Sequence, residues 1–439
     1  LPDYYGTYAA LWAGVPAALL LLLGVMFGGR VEDAILQSSR PAAVQALEPD
    51  RQDVFYSDAH AIAAGEAPSE VTYEGEVKAA LDVKVAEARR IETTLKVGIL
   101  AASAVLALAG FLLAFPRISA EFRARNRVEG WIGVLLIGCS VAAVLTTLGI
   151  VLSLVWESWR FFQSVNPISF LFGTEWSPQI AMRADQVASA GAFGAVPLFA
   201  GTFLIMFIAM LVAAPVGLYS AIYLSEYANR GVRGVVKPLL EILAGVPTVV
   251  YGFFAALTVG PLFRAGFNAI GAALPPGPIA TYLMEVQNQM ALVAGVVMGI
   301  MLIPFVSSLS DDIINAVPQS LRDGSYAMGA TKSETVKKVV LPAALPGIMA
   351  AMLLAISRAV GETMIVTMAA GLQAKLTANP LDTVTTVTVQ IVTLLTGDQE
   401  FDSPKTLSAF GLGLTLFVVT LCLNIIALRI VQKYREQYD

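Results

Sequence analysis

The sequence predicts an all-α protein, a bundle of about eight transmembrane helices, and three observations lead to this fold class. Of 439 residues, 56% are hydrophobic and only 14% are charged, whereas soluble domains average about 25% charged residues. The mean hydropathy is +0.71. Eight apolar stretches approach or exceed the roughly 20 residues that a helix needs to cross a bilayer. The composition therefore excludes a soluble globular domain, a disordered chain and a disulfide-rich scaffold.

The predicted spans follow the apolar stretches in chain order. They are 8–29, 97–115, 130–156, a helix starting near 196 within 186–225, 242–263, 286–310, 339–371 and 406–428. The first stretch is too long for a signal peptide and has no basic residues before it. Pro304 predicts a kink or a break in the sixth span.

The distribution of basic residues sets the predicted topology. The loops 116–129, 226–241 and 310–340 and the C-terminal tail are rich in Arg and Lys. The three loops 157–185, 264–285 and 372–405 together contain five basic residues. Because cytoplasmic loops carry the excess of Arg and Lys, this alternation predicts eight spans with both termini in the cytoplasm.

A long polar segment, residues 30–96, separates the first two spans. It contains eight basic and thirteen acidic residues, and the alternation of loops places it on the outer side. The pair Glu74 and Lys78 predicts a helix that runs on into the second span. The simplest interpretation is a solvated stalk or cap without chemistry. We therefore divide the chain into a first transmembrane helix (1–29), this extended helical segment (30–96), a second transmembrane helix with its basic loop (97–129), and a core (130–439).

Charge, cysteine content and motifs exclude several functions. The net charge of −5 indicates no nucleic-acid partner. Cys139 and Cys422 lie in apolar stretches and His60 is the one histidine, so we expect no metal site. The sequence contains no phosphate-binding G-x-x-x-x-G-K-[ST] loop, nucleophile elbow or dinucleotide-binding motif. We expect no catalytic residues and no cofactor bound by this chain.

The basic loop 311–342 predicts two short helices joined at a glycine. Pro318 suits the first turn of a helix, and Gly329 suits the positive φ that follows a helix end. Thr331-Lys332-Ser333-Glu334 predicts a capping box that opens a second helix, and Pro342 marks the return toward the membrane. By its residues alone, this segment is compatible with an ordinary loop or with a knob that docks into a partner's groove.

Arg358 and Glu362 place two charges inside the predicted span 339–371. Four residues apart on a helix, their side chains share one face. A charge at the bilayer centre costs at least about 2.5–3.5 kcal/mol, so both should face the bundle interior. Two interpretations stand: a structural ion pair, or an anion-pathway arginine partly neutralised by Glu362. A guanidinium suits the second, because it donates bidentate hydrogen bonds to tetrahedral oxyanions.

The loop motif resembles the EAA loop of bacterial ABC importer permeases. In that family Glu-Ala-Ala is followed by three residues, Gly, nine residues and Ile-x-Leu-Pro. Asp323-Gly324-Ser325, Gly329 and Val339-Val340-Leu341-Pro342 take the same places in this sequence. The resemblance implies that the loop docks into a groove on an ATPase subunit. The implied coupling residues are Asp323, Gly324, Ser325, Gly329, Leu341 and Pro342.

Other segments resemble phosphate-specific ABC permeases of the PstC type, within the MetI-like permease family. Ile356-Ser357-Arg358-Ala359-Val360-Gly361-Glu362-Thr363-Met364 is similar to the stretch GRAIGETM, and residues 222–227, 237–252, 317–322 and 326–331 also match. The resemblance implies a substrate pathway with Arg358, Glu362 and Thr248. Gly245-Val246-Pro247-Thr248 would form a broken helix that lines it. Glu241 is expected at the cytoplasmic interface near Arg233 and Lys237, in a structural role.

This resemblance implies the permease subunit of an ATP-driven phosphate importer in the bacterial inner membrane. The implied partners are a PstA-type sister permease, a dimer of PstB-type ATPase subunits and a periplasmic PstS-type phosphate-binding protein. The ATPase subunits would use ATP and Mg. The alternatives are a permease for another oxyanion (sulfate or molybdate), a PstA-type subunit, an ATP-independent channel or carrier, and a regulatory membrane scaffold.

Overall fold

The computed structural model describes residues 2–38, 41, 44, 49–65, 71, 73–119, 122–178, 191–396 and 403–434. Within these ranges the regular secondary structure is helical apart from one two-stranded sheet. Eight helical stretches of the described residues, some of which continue through a π-helical turn, are long and apolar enough to cross a membrane, which confirms the predicted all-α bundle. The chain divides into two compact units, Leu1–Thr147 and Leu148–Asp439.

The described part of the first unit contains three α-helices and the start of a fourth. They are α1 (Pro2–Ser38), α2 (Pro49–Ala64), α3 (Gly75–Ala114) and the first part of α4 (Ala124–Ser164). Helices α1 and α3 are antiparallel, since Gly110 of α3 lies against Trp12 of α1 and Lys84 donates a hydrogen bond to the carbonyl of Leu36. As predicted, the polar segment and the second span share one continuous helix, α3.

The polar segment has a hydrophobic core of its own. Phe55 and Ala59 of α2 pack with Leu81 and Ala88 of α3 and are fully or almost fully buried. Arg89 of α3 also donates hydrogen bonds to two carbonyls at the end of α2. The segment therefore has a folded core as well as a solvated surface.

The second unit contains the rest of α4 and most of the other described elements. In order these are α5 (Pro167–Phe172), β1 (Trp176–Ser177), β2 (Ala192–Phe193), α6 (Val196–Ile222), α7 (Arg230–Ala244), α8 (Thr248–Phe254), α9 (Gly260–Ala273), α10 (Pro278–Met284), α11 (Ala291–Ala316), α12 (Gln319–Ala327), α13 (Lys332–Thr335), α14 (Leu341–Val360), α15 (Met364–Ala369), α16 (Val387–Leu395) and α17 (Pro404–Tyr434). Single π-helical turns, Tyr223–Tyr227, Ala255–Val259 and Val336–Val340, follow α6, α8 and α13.

Helices α6 and α11 run parallel through the centre of the second unit. A Cβ atom on Gly295 would lie 2.6 Å from Ile208, and one on Gly299 would lie 2.8 Å from the carbonyl oxygen of Ala209. These glycines let the two backbones approach closely, as small residues do between membrane helices. The helix expected to start near residue 196 begins at Val196, and α11 continues through Pro304 without a break.

Two predicted spans are interrupted in the structure. The span predicted at 242–263 begins at Thr248, because α7 ends at Ala244 and Pro247 opens α8. The span predicted at 339–371 ends at Val360, because the chain leaves the helix at Gly361 and a separate short helix, α15, follows. Apolar composition alone does not reveal either interruption.

Loops at one end of the second unit fold against each other. The backbone N–H groups of Met290, Ala291 and Leu292, which open α11, donate to carbonyls of residues 369, 382 and 380. Trp176 in β1 donates its indole N–H to Gln390 of α16 at 3.1 Å. The described parts of the second unit's loops that the sequence predicts on the outer side thus pack against each other.

Candidate functional site

The helix–glycine–helix loop predicted at 311–342 is present. Helix α12 ends before Gly329, which has a φ of +82°. Thr331 and Glu334 form the predicted capping box: the Thr331 hydroxyl accepts from the Glu334 N–H, and the Glu334 carboxylate accepts from the Thr331 N–H. The second helix then runs through a π turn into α14. This turn suits Pro342, which has no N–H to donate.

The coupling residues named from the motif form a mostly exposed surface. Asp323, Gly324, Gly329 and Pro342 are exposed, whereas Ser325 and Leu341 are half-buried. Ser325 is held by a 2.9 Å hydrogen bond to Thr335. Met328, at the tip, is 89% exposed. An unpaired apolar tip flanked by small residues has the shape and chemistry of a docking surface.

Arg322 anchors this loop to the membrane helices, and sequence reasoning did not identify it as a site residue. Its guanidinium lies 2.9 Å from Glu226, in the π turn after α6. It also donates to the carbonyls of Ile314 and Val317 at 2.8 and 2.6 Å, at the end of α11. Both ionic side chains are at least nine-tenths buried. The acidic residue is 96 positions away, so no local pattern indicates the pair.

A second buried carboxylate joins α7 to α11. Asp311 accepts hydrogen bonds from Lys237 at 2.9 Å and from Arg233 at 3.1 Å, and its side chain is 3% exposed. The hydrogen bond to Asp311 raises the pKa of Lys237, against the lowering effect of burial. Glu241 lies one turn after Lys237 on α7 and is exposed, and no ion pair within 4.0 Å joins it to either cation among the described residues.

The structure does not join Arg358 and Glu362 on one helix face. Arg358 lies in the last turn of α14, and the helix ends at Val360. The Glu362 carboxylate instead accepts hydrogen bonds from the backbone N–H groups of Met364 and Ile365, at 3.2 and 3.5 Å. It therefore caps α15. The predicted shared face is wrong because the helix stops between the two residues.

Arg358 has an aromatic neighbour in place of an acidic one. Its Cζ atom lies 5.7 Å from the centre of the Phe305 ring, near the middle of α11. Over the described part of the chain, no carboxylate lies within 4.0 Å of this guanidinium. A cation–π contact of this kind supplies about 0.5–1 kcal/mol at an exposed site. It leaves the N–H donors of the guanidinium available.

Two interruptions of helical structure lie close together in the bundle. The first, at Gly245–Pro247, precedes Thr248, the first residue of α8. The second precedes α15, and a Cβ atom on Gly252 of α8 would lie 3.2 Å from the carbonyl oxygen of Met364. Irregular backbone at membrane depth occurs where it is buried in protein or lines a water-filled cavity. The predicted broken helix is thus present, and it adjoins the segment that carries Glu362.

These features define a class of protein: a polytopic membrane protein with interrupted helices, an arginine in a spanning helix without an acidic partner among the described residues, and an exposed helix–glycine–helix loop. The chain belongs to the family described as binding-protein-dependent transport system inner membrane components, which matches residues 213–436. It is therefore a multi-pass inner-membrane subunit of a transporter. A second family, described as phosphate ATP-binding cassette transporter, matches residues 1–146.

The chain matches several curated proteins over most of their lengths. The chain is 32% identical over 321 residues to the probable ABC transporter permease protein YqgH of Bacillus subtilis, a match covering 72% of this chain and 94% of that protein. It is 32% identical over 282 residues to the phosphate transport system permease protein PstC 1 of Mycobacterium tuberculosis, covering 61% and 83%. It is 30% identical over 321 residues to PstC of Mesorhizobium japonicum, covering 71% and 90%.

Proposed function

We propose that this chain is the PstC-type permease subunit of an ATP-driven importer that passes inorganic phosphate from an external binding protein to the cytoplasm. The observation that carries the proposal is the guanidinium of Arg358, which has no carboxylate partner among the described residues and lies in the last turn of α14, just before the interruption that precedes α15. A fixed positive charge with free donors can bind a tetrahedral oxyanion through charge-assisted hydrogen bonds. Thr248 adds a hydroxyl at the other interruption, and Glu362 keeps the backbone of α15 in place.

The choice of phosphate rests on the relatives. Several proteins similar to this chain are named phosphate transport permeases. The family that residues 1–146 match is described as phosphate ATP-binding cassette transporter. Arg358 by itself does not distinguish phosphate from sulfate or molybdate, since all are tetrahedral oxyanions. Those two anions, and a PstA-type role, are the alternatives that the experiment separates.

The proposed partners follow from the permease class and the docking loop. A dimer of ATPase subunits would receive the loop around Asp323, Gly324 and Gly329 and would use ATP and Mg. A PstA-type sister permease would complete the membrane path, and a periplasmic phosphate-binding protein would deliver the substrate. Both termini lie in the cytoplasm in this arrangement.

The test is uptake of radiolabelled phosphate by cells that lack this chain and are complemented with variants at matched membrane levels. Wild type should restore uptake, and Arg358→Gln should reduce it at least tenfold, because charge-assisted hydrogen bonds contribute about 1.5–3 kcal/mol and 1.4 kcal/mol is a factor of ten. Arg264→Gln is the matched control, since Arg264 is an exposed arginine on another spanning helix. Unlabelled sulfate and molybdate serve as competitors.

Each outcome decides one part of the proposal. Equal uptake by wild type and Arg358→Gln would show that Arg358 is structural. Failure of wild type to restore phosphate uptake, with uptake of sulfate or molybdate, would overturn the substrate. Restoration only in cells that lack the PstA-type subunit would show that the chain fills the sister role.

A further inference from the structure

A groove runs between α1 and α3 in the first unit, where both helices leave their apolar stretches. Its volume is about 430 Å³, within the range of small-molecule sites. Leu21, Val25 and Leu100 form an apolar wall, and the charged side chains of Glu32, Glu92 and Lys96 form the rim. One end of the groove is therefore apolar and the other is ionic.

The groove opens at Gly28, where no atom of the facing helix fills the space beside the backbone. A Cβ atom on Gly24 would lie 2.8 Å from Ile99, so the helices touch at that level. One turn further along α1, a Cβ atom on Gly28 would meet nothing within 4 Å. The two helices thus separate between Gly24 and Gly28. The space that a larger side chain would fill at Gly28 is part of the groove.

The rim carries two carboxylates and one ammonium group. Lys96 forms an ion pair with Glu92. The Glu32 carboxylate is 15% exposed and lies 3.4 Å from Nδ1 of His60. Glu32 and Lys96 lie just beyond the apolar stretches 8–29 and 97–115, at the level that lipid headgroups occupy beside a spanning helix. The apolar wall lies at the level of the acyl chains.

We propose that this groove binds one phospholipid with a primary ammonium headgroup, such as phosphatidylethanolamine. The headgroup ammonium donates hydrogen bonds to Glu32, the phosphate pairs with Lys96, and an acyl chain lies along Leu21, Val25 and Leu100. The charges on the rim favour a zwitterionic lipid whose headgroup carries a primary ammonium. With two negative charges and one positive charge, the rim disfavours an anionic lipid, and a choline headgroup has no N–H to donate to the carboxylate. The site is independent of the substrate that the permease carries.

The first experiment measures thermal unfolding of the delipidated full-length chain in detergent with added POPE, POPC or POPG. A ligand that binds the folded state raises Tm, so saturating POPE should raise Tm by several degrees and the other two lipids by less. Glu32→Gln should abolish the advantage of POPE over POPC. Asp82→Asn, an exposed acid on α3 outside the groove, should retain it. Equal shifts with all three lipids, or none with POPE, would overturn the proposal.

A second variant fills the groove without changing its charge. Gly28→Leu should remove the POPE-dependent rise in Tm while the Tm without lipid stays unchanged, because its side chain enters open space. Gly14→Leu is the matched control, since a Cβ atom there also meets nothing within 4 Å. Native mass spectrometry should show one bound POPE on Gly14→Leu and none on Gly28→Leu. If Gly28→Leu keeps the bound POPE, the groove is not the lipid site and the proposal is overturned.

Discussion

Arg322 Nη2 lies 2.9 Å from Glu226 Oε1, and this buried ion pair joins the proposed docking loop (311–342) to two membrane helices. Glu226 lies in the π turn that ends α6. The other donors of Arg322 reach carbonyls at the end of α11. Since α6 and α11 form the packed centre of the second unit, a displacement of α12 by a docked partner would be carried directly to both helices.

Replacing Arg322 with Met should destabilise the chain and disconnect the loop. The variant leaves the Glu226 carboxylate buried without its partner, and breaking a buried pair in this way costs about 3–5 kcal/mol. We expect a lower Tm in detergent. We also expect phosphate uptake to fall more than the amount of the variant in the membrane. The double variant Arg322→Met with Glu226→Leu should regain much of the Tm, because no unpaired charge remains.

The ratio of phosphate transported to ATP hydrolysed separates the two effects of Arg322. In assembled complexes, the double variant should hydrolyse ATP but transport less phosphate per ATP than wild type, since the tie between loop and helices is gone. Lys338→Gln is a suitable control, because Lys338 lies in the same loop and is 76% exposed. An unchanged ratio in the double variant would mean that the pair contributes only to stability.

Contacts between sequence neighbours in the docking loop were predicted well, whereas pairs of residues far apart in the sequence were not predicted. The capping box of Thr331 and Glu334 and the positive φ of Gly329 depend on neighbouring residues, so sequence is sufficient for both. The partner of Arg322 lies almost a hundred residues away, and many acids are equally plausible from sequence.

The prediction for Arg358 and Glu362 assumed one unbroken helix through apolar residues 339–371. Gly361 and the capping of α15 interrupt it, and hydropathy does not register an interruption of this kind. The contact of Arg358 with Phe305 was missed for a similar reason, because an aromatic residue in an apolar span gives no signal of its own.

Glu362 provides a test of its capping role. Glu362→Ala removes the acceptor of the Met364 and Ile365 N–H groups and should cost about 0.5–2 kcal/mol, the usual range for loss of a helix cap. Glu362→Gln keeps an acceptor oxygen and should retain most of the stability. Thermal unfolding of both variants in detergent measures the difference. If Glu362→Gln and Glu362→Ala lower Tm equally, the negative charge of Glu362 contributes more than its acceptor oxygen. That result would favour a structural ion pair with Arg358.

Asp382 should make stability depend on pH at the acidic end. Burial raises the pKa of its carboxyl, but hydrogen bonds from Thr377 and Lys375 outweigh burial and hold the pKa below its usual value. The Lys375 ammonium lies 2.9 Å away. A carboxylate with a lowered pKa contributes stability that is fully present above its unfolded pKa, about 3.9, and is lost as pH falls through the folded pKa.

The Asp382→Asn variant isolates this contribution. Its Tm should lie below that of wild type at pH 7, by an amount equivalent to about 1–3 kcal/mol for hydrogen bonds to a charged group. The gap should narrow as the pH falls below about 3.9. Asp312→Asn, at an acid that is 66% exposed, should show a smaller gap at every pH. A gap for Asp382→Asn that stays constant from pH 7 to acid would contradict the prediction.

Replacing two glycines of the docking loop with alanine should change the stability of the loop in opposite directions. Gly329 has a φ of +82°, a conformation that costs an L-residue roughly 1–2 kcal/mol. Gly329→Ala should therefore distort the junction of the two helices and weaken both loop stability and ATPase binding. Gly329→Asn should be milder, since Asn tolerates this conformation better.

Gly324 lies inside α12, and a Cβ atom there meets nothing within 4 Å. Gly324→Ala should stabilise the helix by up to about 1 kcal/mol, because alanine has the higher helix propensity. If the exposed face of α12 docks closely against the ATPase, the added methyl group should still weaken binding. Co-purification of the tagged ATPase subunit and the Tm of the isolated permease give the two readouts. Tighter or unchanged ATPase binding by Gly324→Ala would show that this face of α12 does not form the contact.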